Sequence, residues 1–182
     1  MKDFFKKRHS EIIKIFNKIE IYKLNHFKEL ISKTKSSGGK VIICGNGGSS
    51  ATASHFSVDL SLNAKIKSIN FNEPDMITCF ANDFGYKKWL KKALEIYSNP
   101  KDLLILVSCS GNSMNLVNAN LFAKKSGLKV VTLTGCKKNN KLNNSKNDLN
   151  IWINSNKYNV IEIIHHTILL NLIDSIIEDQ NF

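Results

Sequence analysis

The chain has 182 residues and a formal net charge of +11, with 42% hydrophobic and 23% charged residues. This length suits a single domain with one core, and the composition is close to globular averages, which excludes a disordered chain. The longest apolar stretch, IEIIHHTILLNLIDSII, is interrupted by polar residues, so we predict no membrane span. We predict a cytoplasmic protein, because the N-terminus lacks a signal-type apolar core. Lysines occur in nearly every segment, so we expect a solvated basic surface and no nucleic-acid partner.

The first 36 residues predict two helices, since apolar residues recur at helical spacing between charged ones. The next runs, KVIIC, DLLILVS, LKVVTLTG, LNIWI and the weaker KSINF, are short and apolar, as buried parallel strands are. Helical patterns lie around residues 50–60, 73–80, 86–97, 113–126 and 160–178, while 137–149 is polar and predicts a loop or a short turn of helix. Strands that alternate with helices predict an α/β fold with a doubly wound parallel sheet, preceded by an N-terminal helical hairpin.

Two strand-to-helix turns resemble each other, KVIICGNGGSSA and LILVSCSGNSMN. Ligands of open α/β sheets bind at the carboxyl ends of strands, so both turns can line one pocket. A glycine-rich turn that opens a helix presents free N–H groups and the positive end of the helix dipole to a phosphate. GNGGSS lacks the P-loop lysine and the third glycine of dinucleotide sites, which favours a phosphate monoester. The alternative is that its glycines only form a tight turn.

The motifs GNGGSSATASHFSVDL, SCSGNSMN and FANDFGY together resemble the sugar isomerase (SIS) domain of the phosphoheptose isomerase family, over roughly the whole chain. The resemblance implies a five-stranded, flavodoxin-like parallel sheet. It also implies that residues 1–36 form a hairpin that helps build a homotetramer, and that residues 37–182 form the phosphosugar-binding SIS domain. The implied reaction converts sedoheptulose 7-phosphate to a heptose 7-phosphate for surface polysaccharide, such as capsule or lipopolysaccharide.

The resemblance assigns substrate contacts to residues of three motifs, which are Asn46, Gly47, Gly48, Asn82, Asp83, Ser108, Cys109, Ser110 and Ser113. We add Ser49, which lies on the same wall at the start of the first motif's helix. We also add Glu162, which could orient a histidine or replace the family's substrate-binding glutamine.

Aldose–ketose isomerisation moves a proton between adjacent carbons through an enediol, so it needs a general base and a general acid. His55 and Asp59 are four residues apart and share one helix face, which is also common for an ordinary surface pair. The resemblance implies that Asp59 is the base, at a position where the family has a glutamate with one more methylene. It implies that the acid is a histidine of the last helix.

That helix offers His165 and His166, of which only one can face the pocket, because neighbouring residues diverge by about 100°. We expect His165 to be the catalytic acid. His55, Asp59, Glu162 and His165 are also acceptable zinc ligands, and the resemblance is compatible with zinc, although the proton transfers require no cofactor. The alternative function is a non-catalytic SIS module, either a phosphosugar sensor or a replication-initiator-associating protein, which would keep the phosphate loops without the acid–base pair.

Overall fold

The computed structural model describes residues 2 to 180, which form seven helices and five strands. The helices are α1 (Lys2–Phe16), α2 (Ile21–Ser36), α3 (Gly48–Leu62), α4 (Pro74–Phe84), α5 (Trp89–Tyr97), α6 (Met114–Lys125) and α7 (Tyr158–Gln180). The strands are β1 (Val41–Cys44), β2 (Ser68–Ile69), β3 (Leu103–Ser108), β4 (Lys129–Thr134) and β5 (Leu149–Trp152). Between β4 and β5 the polar residues 137–148 form turns and bends, within the segment for which the sequence predicts a loop or a short turn of helix.

The five strands form one parallel sheet in the order β2-β1-β3-β4-β5. Every residue of β1 and β3 is buried, which explains why these strands are apolar at each position rather than at alternate ones. Helices cover both faces and produce two core clusters, one beneath α2, α3 and α7 and the other beneath α5 and α6. The prediction of a doubly wound, five-stranded α/β fold is therefore confirmed.

The N-terminal hairpin shares its core with the sheet. Phe27 and Ile31 of α2 are fully buried in the same cluster as the inner side of α7. By contrast, large apolar side chains on α1 remain exposed, including Phe4, Phe5 and Ile13. Residues 2–36 thus extend the main core and have an uncovered apolar surface, and the predicted role of this hairpin in oligomerisation stays a prediction.

Helix α7 is long and apolar enough to cross a membrane by length and composition alone. Half of its apolar window is buried inside the protein, where Ile161, Ile164 and Ile168 pack in the core against the sheet. A central helix of a soluble fold has the same properties, so the length of α7 is explained by its place in the core.

Candidate functional site

The two glycine- and serine-containing turns meet at the carboxyl ends of the neighbouring strands β1 and β3. In a sheet of this order the chain leaves these two strands in opposite directions, which opens a crevice between them. The crevice holds a cavity of about 120 Å³. Its lining residues are Asn46, Ser49, Val107, Ser108, Cys109, Ser110, Ser113, Tyr158 and Glu162. The structure therefore brings together most of the predicted substrate-binding side chains, with Gly47 and Gly48 in the same turn.

The first turn is fixed by a glycine backbone and by a network of side chains. Gly47 has a φ of +54°, which only glycine adopts easily, and it precedes α3 as an N-cap residue that offers no side-chain cap. The side chain of Asn46 is held in place by two amide hydrogen bonds exchanged with Asn115, at 3.0 and 2.9 Å. The hydroxyl of Tyr86 donates to Asn46 Oδ1 at 3.1 Å. Asn46 is thus fixed from two sides before any ligand binds.

The second turn is braced by the polar loop 137–149. Gly111 has a φ of +63°, and a Cβ at this position would lie 1.9 Å from Asn140 Oδ1. The backbone N–H of Leu142 donates to the Gly111 carbonyl at 3.0 Å, and Ser108 Oγ accepts the Gly111 N–H at 3.1 Å. The loop that the sequence shows only as polar therefore determines the shape of the serine turn.

A chain of polar side chains connects α3 to α7 about one helical turn from the cavity residues Ser49 and Glu162, and none of its members lines the cavity. Asp59 Oδ2 lies 3.1 Å from His55 Nε2, and His55 Nδ1 lies 3.1 Å from His166 Nε2. His166 Nδ1 in turn lies 3.1 Å from Thr52 Oγ1. Burial, followed by the neighbouring imidazole of His55, lowers the pKa of His166, which favours its neutral form. The arrangement can therefore accept and donate protons at neutral pH.

The expectation that His165 faces the site is wrong in this structure. His165 is fully buried, and its Nε2 donates to the Thr134 carbonyl at 3.2 Å. Burial lowers its pKa to about 4, although the bond to Thr134 opposes this shift. His166, about 100° further round α7, points toward His55 instead. Glu162 precedes His166 by four residues and so shares its face, with Glu162 at the cavity.

The structure also separates other predicted site residues. Asn82 and Asp83 lie at the exposed end of α4, where Asn82 Nδ2 donates to Asp83 Oδ1 at 3.0 Å, and neither lines the cavity. The four candidate zinc ligands are not assembled, because Glu162 approaches Cys109 Sγ at 3.8 Å and His165 is turned into the core. Residues 2 to 180 contain no group of three or more His, Cys, Asp or Glu side chains that could hold a metal ion. The residues present therefore do not fit the predicted zinc site.

Comparison with known proteins assigns this chain to a family. The model of the SIS domain matches residues 4–135. The chain belongs to the SIS domain family. Its sequence is similar to the phosphoheptose isomerase of Cytophaga hutchinsonii, with 43% identity over 112 residues, and to that of Sodalis glossinidius, with 38%. Each match covers 59% of this chain. It covers 59% of the Cytophaga protein and 58% of the Sodalis protein, so the chain spans about three fifths of the length of these relatives.

Solved structures resemble the SIS domain over nearly its whole length. A phosphoheptose isomerase from Francisella tularensis superposes with a TM-score of 0.88 at 26% identity, covering 98% of this chain and 96% of that one. GmhA from Neisseria gonorrhoeae, also a phosphoheptose isomerase, superposes with a TM-score of 0.87 and covers 96% and 98%. Its identity of 23% supports the shared fold alone.

Proposed function

We propose that this SIS domain is an aldose–ketose isomerase of a phosphorylated sugar, with sedoheptulose 7-phosphate as substrate and a heptose 7-phosphate as product. The observation that carries the proposal is that the Asp59–His55–His166 chain lies on the same two helices, α3 and α7, that supply Ser49 and Glu162 to a serine-lined cavity at the N-terminus of α3. Such a cavity suits a phosphate, and the chain supplies the acid and base that isomerisation needs. The similarity to proteins named phosphoheptose isomerase supports the same assignment.

The spacing along the helices favours a long sugar. Ser49 lines the cavity, and His55 and Asp59 follow six and ten residues later, which is ~9 and ~15 Å along the helix axis. In a ketose 7-phosphate, carbons 1 and 2 lie at the opposite end of the molecule from the phosphate. A phosphate bound at the serine turn would therefore direct the reacting carbons along α3 toward His55 and His166.

Each residue then has a distinct role in the proton transfers. Asp59 removes a proton from carbon 1 of the ketose and returns it to carbon 2, and the intermediate is an enediol. His166 donates a proton to the oxygen on carbon 2 and accepts the one on the oxygen of carbon 1, so the proton count is balanced. Its lowered pKa keeps the imidazole neutral, and a neutral ring can both donate and accept. His55 holds the carboxylate of Asp59 in position, and no step requires a cofactor.

We further propose that the active form is a cytoplasmic homotetramer whose product supplies heptose for a surface polysaccharide. His55 and Asp59 are 48% and 29% exposed at their side chains, which leaves the reaction open to water. The apolar side chains of Val58 and Leu62 are also exposed on the same helix. A second copy of the chain that covers this surface would bury these groups and exclude water from the proton transfers.

The test is a turnover assay followed by NMR in D₂O. Wild-type protein should convert sedoheptulose 7-phosphate to an aldose phosphate and exchange its carbon-bound proton. Asp59→Asn and His166→Gln should each lower kcat by ~10²- to 10⁴-fold, while substrate binding is retained. His9→Gln, which alters an exposed histidine of α1, is the matched control and should keep full activity.

Turnover that is unchanged in both site variants would refute the roles of Asp59 and His166. A wild-type protein that binds ketose phosphates across a panel of sugars but converts none would instead indicate the non-catalytic alternative.

A further inference from the structure

A second cavity lies at the edge of the sheet that strand β5 forms. It has a volume of about 350 Å³, whereas the cavity at the serine turn has about 120 Å³. Three segments enclose it, which are the connection between α1 and α2, the polar loop 137–149 and β5 with the residues that follow it. Among residues 2 to 180 the two cavities share no lining residue. A volume above about 300 Å³ is typical of sites for small organic molecules.

The charges that line this second cavity are mostly positive. Lys18, Lys23 and Lys138 line it together with one acidic residue, Glu20. Glu20 is paired with Lys23. The hydrogen bond from Lys23 lowers the pKa of Glu20, and the charge of Lys138 acts in the same direction. Lys18 and Lys138 form no salt bridge with any part of the chain between residues 2 and 180. Two ammonium groups are therefore available to an anionic ligand.

Trp152 gives the cavity an aromatic wall whose position is fixed. Its Nε1 donates to the Cys136 carbonyl at 3.2 Å. Cys136 has a φ of +50°, which residues with a side chain rarely adopt, and its own N–H donates to the Ser155 carbonyl at 2.9 Å. Lys138 Nζ lies 5.7 Å from the centre of the indole ring. The cavity therefore presents an aromatic surface and a positive charge side by side.

The apolar part of the cavity comes from two further elements. Ile15 of α1 and Ile19 after it are partly buried and line the cavity, as does the buried Ile153 after β5. Sites for small molecules combine apolar walls with a few polar groups that fix the orientation of the ligand. An inorganic ion would gain nothing from these walls, and a neutral apolar molecule would gain nothing from the two ammonium groups. The lining therefore suits a molecule that has both an apolar ring and a negative charge.

We propose that the cavity at β5 is a second ligand site of this protein, which binds a small organic anion with an aromatic ring. The ring packs against Trp152 and the isoleucines, and aromatic rings favour offset or edge-on contacts of this kind. The phosphate or carboxylate of the ligand pairs with Lys18 and Lys138. The site is independent of the proposed isomerase reaction, because it uses none of the residues that line the serine-turn cavity.

The test follows the two tryptophans of the chain by fluorine NMR. Protein that contains fluorotryptophan gives one signal for Trp89 and one for Trp152, and Trp152→Phe assigns them. AMP and naphthoate are titrated as anionic probes, with adenosine and naphthamide as their neutral counterparts. We expect the anions to shift the Trp152 signal and to bind roughly tenfold or more tightly than the neutral compounds, because charge-assisted hydrogen bonds to two lysines are lost in the latter.

Two double variants separate the site from the general charge of the protein. Lys18→Gln with Lys138→Gln should weaken the binding of the anions roughly tenfold and leave the neutral compounds nearly unchanged. Lys124→Gln with Lys125→Gln removes the same two charges from an exposed part of α6. This matched control should change each affinity by less than about twofold, because salt screens distant surface charges.

Three results would overturn the inference. The first is a Trp152 signal that neither anion shifts at millimolar concentration, and the second is a shift confined to Trp89, which would place the ligand elsewhere. The third is equal weakening in both double variants, because net charge alone would then explain the binding. Binding of only one anion supports the site and shows whether it prefers phosphate or carboxylate. Circular dichroism confirms the fold of each variant, and the titrations need no turnover, so they are independent of the isomerase assay.

Discussion

The buried imidazole of His165 should make the SIS domain less stable below neutral pH. The ring is fully buried, its Nε2 donates to the Thr134 carbonyl, and its Nδ1 has no hydrogen-bond partner among residues 2 to 180. Burial lowers its pKa from 6.5 to about 4, because a charged ring would lose its water there. The unfolded chain therefore binds the proton at a higher pH than the folded protein does. Stability is lost as the pH falls from about 6.5 and levels off below about 4.

The size of this loss follows from the two pKa values. The difference between 6.5 and about 4 corresponds to about 3.4 kcal/mol once both states are protonated, at 1.36 kcal/mol for each pH unit. Between pH 7 and pH 5, linkage gives a loss of about 2 kcal/mol from this one group. That is a substantial part of the 5 to 15 kcal/mol by which domains are usually stable, so urea unfolding should detect it readily.

The assay compares wild type, His165→Gln and the exposed control His9→Gln at both pH values. Glutamine can still donate an N–H to the Thr134 carbonyl but does not bind a proton. We expect wild type and His9→Gln to lose about 2 kcal/mol more than His165→Gln between pH 7 and pH 5. His165→Gln should also keep its turnover within a few-fold of wild type. An identical pH dependence in all three proteins, or a loss of kcat in His165→Gln as large as that in His166→Gln, would refute the reasoning.

Three further substitutions test the framework of the site. Gly111→Ala places a Cβ 1.9 Å from Asn140 Oδ1 at a positive φ, so it should cost about 1 to 3 kcal/mol in urea unfolding and weaken sugar phosphate binding in calorimetry. Asn115→Ala removes both amide bonds to Asn46 and should raise KM several-fold in the turnover assay with a smaller change in kcat; an unaltered KM would contradict this. Asp102→Asn weakens a buried acceptor of three hydrogen bonds and should cost about 1.5 to 3 kcal/mol in urea unfolding while kcat stays the same.

The fold could be predicted because its signals are local. β1 and β3 are buried on both faces, so each of their residues is under the same requirement to be apolar, and a short uniform run results. The glycines that follow mark a turn that other residues adopt with strain. These features depend on residues only a few positions apart in the chain, so they can be recognised in a single sequence.

The choice between His165 and His166 was not predictable in this way. Helix α7 is apolar around most of its circumference, since it packs on the sheet with one side and on α2 and α3 with others. A helix of that kind has no polar stripe that would show which side faces the core. Two adjacent histidines then appear equivalent until the neighbouring elements are known.

The supports of the two turns were missed for a different reason. Asn140 lies 29 residues after Gly111, and Tyr86 lies 40 residues after Asn46, so no period connects them. An asparagine in a polar loop is usually read as a solvent-exposed surface residue. Its contact with a distant glycine is visible only in the three-dimensional structure.

Helix α7 follows both turns in the sequence, so it is synthesised after them. Both glycine- and serine-containing turns precede it by at least 40 residues, whereas Glu162 and His166 are among the later parts of the chain to leave the ribosome. A nascent chain that ends before α7 would hold both turns without Glu162, which completes the cavity, and without His166, the acid proposed for the proton transfers. The complete cavity and the proposed acid would therefore arise together, when α7 docks on the sheet.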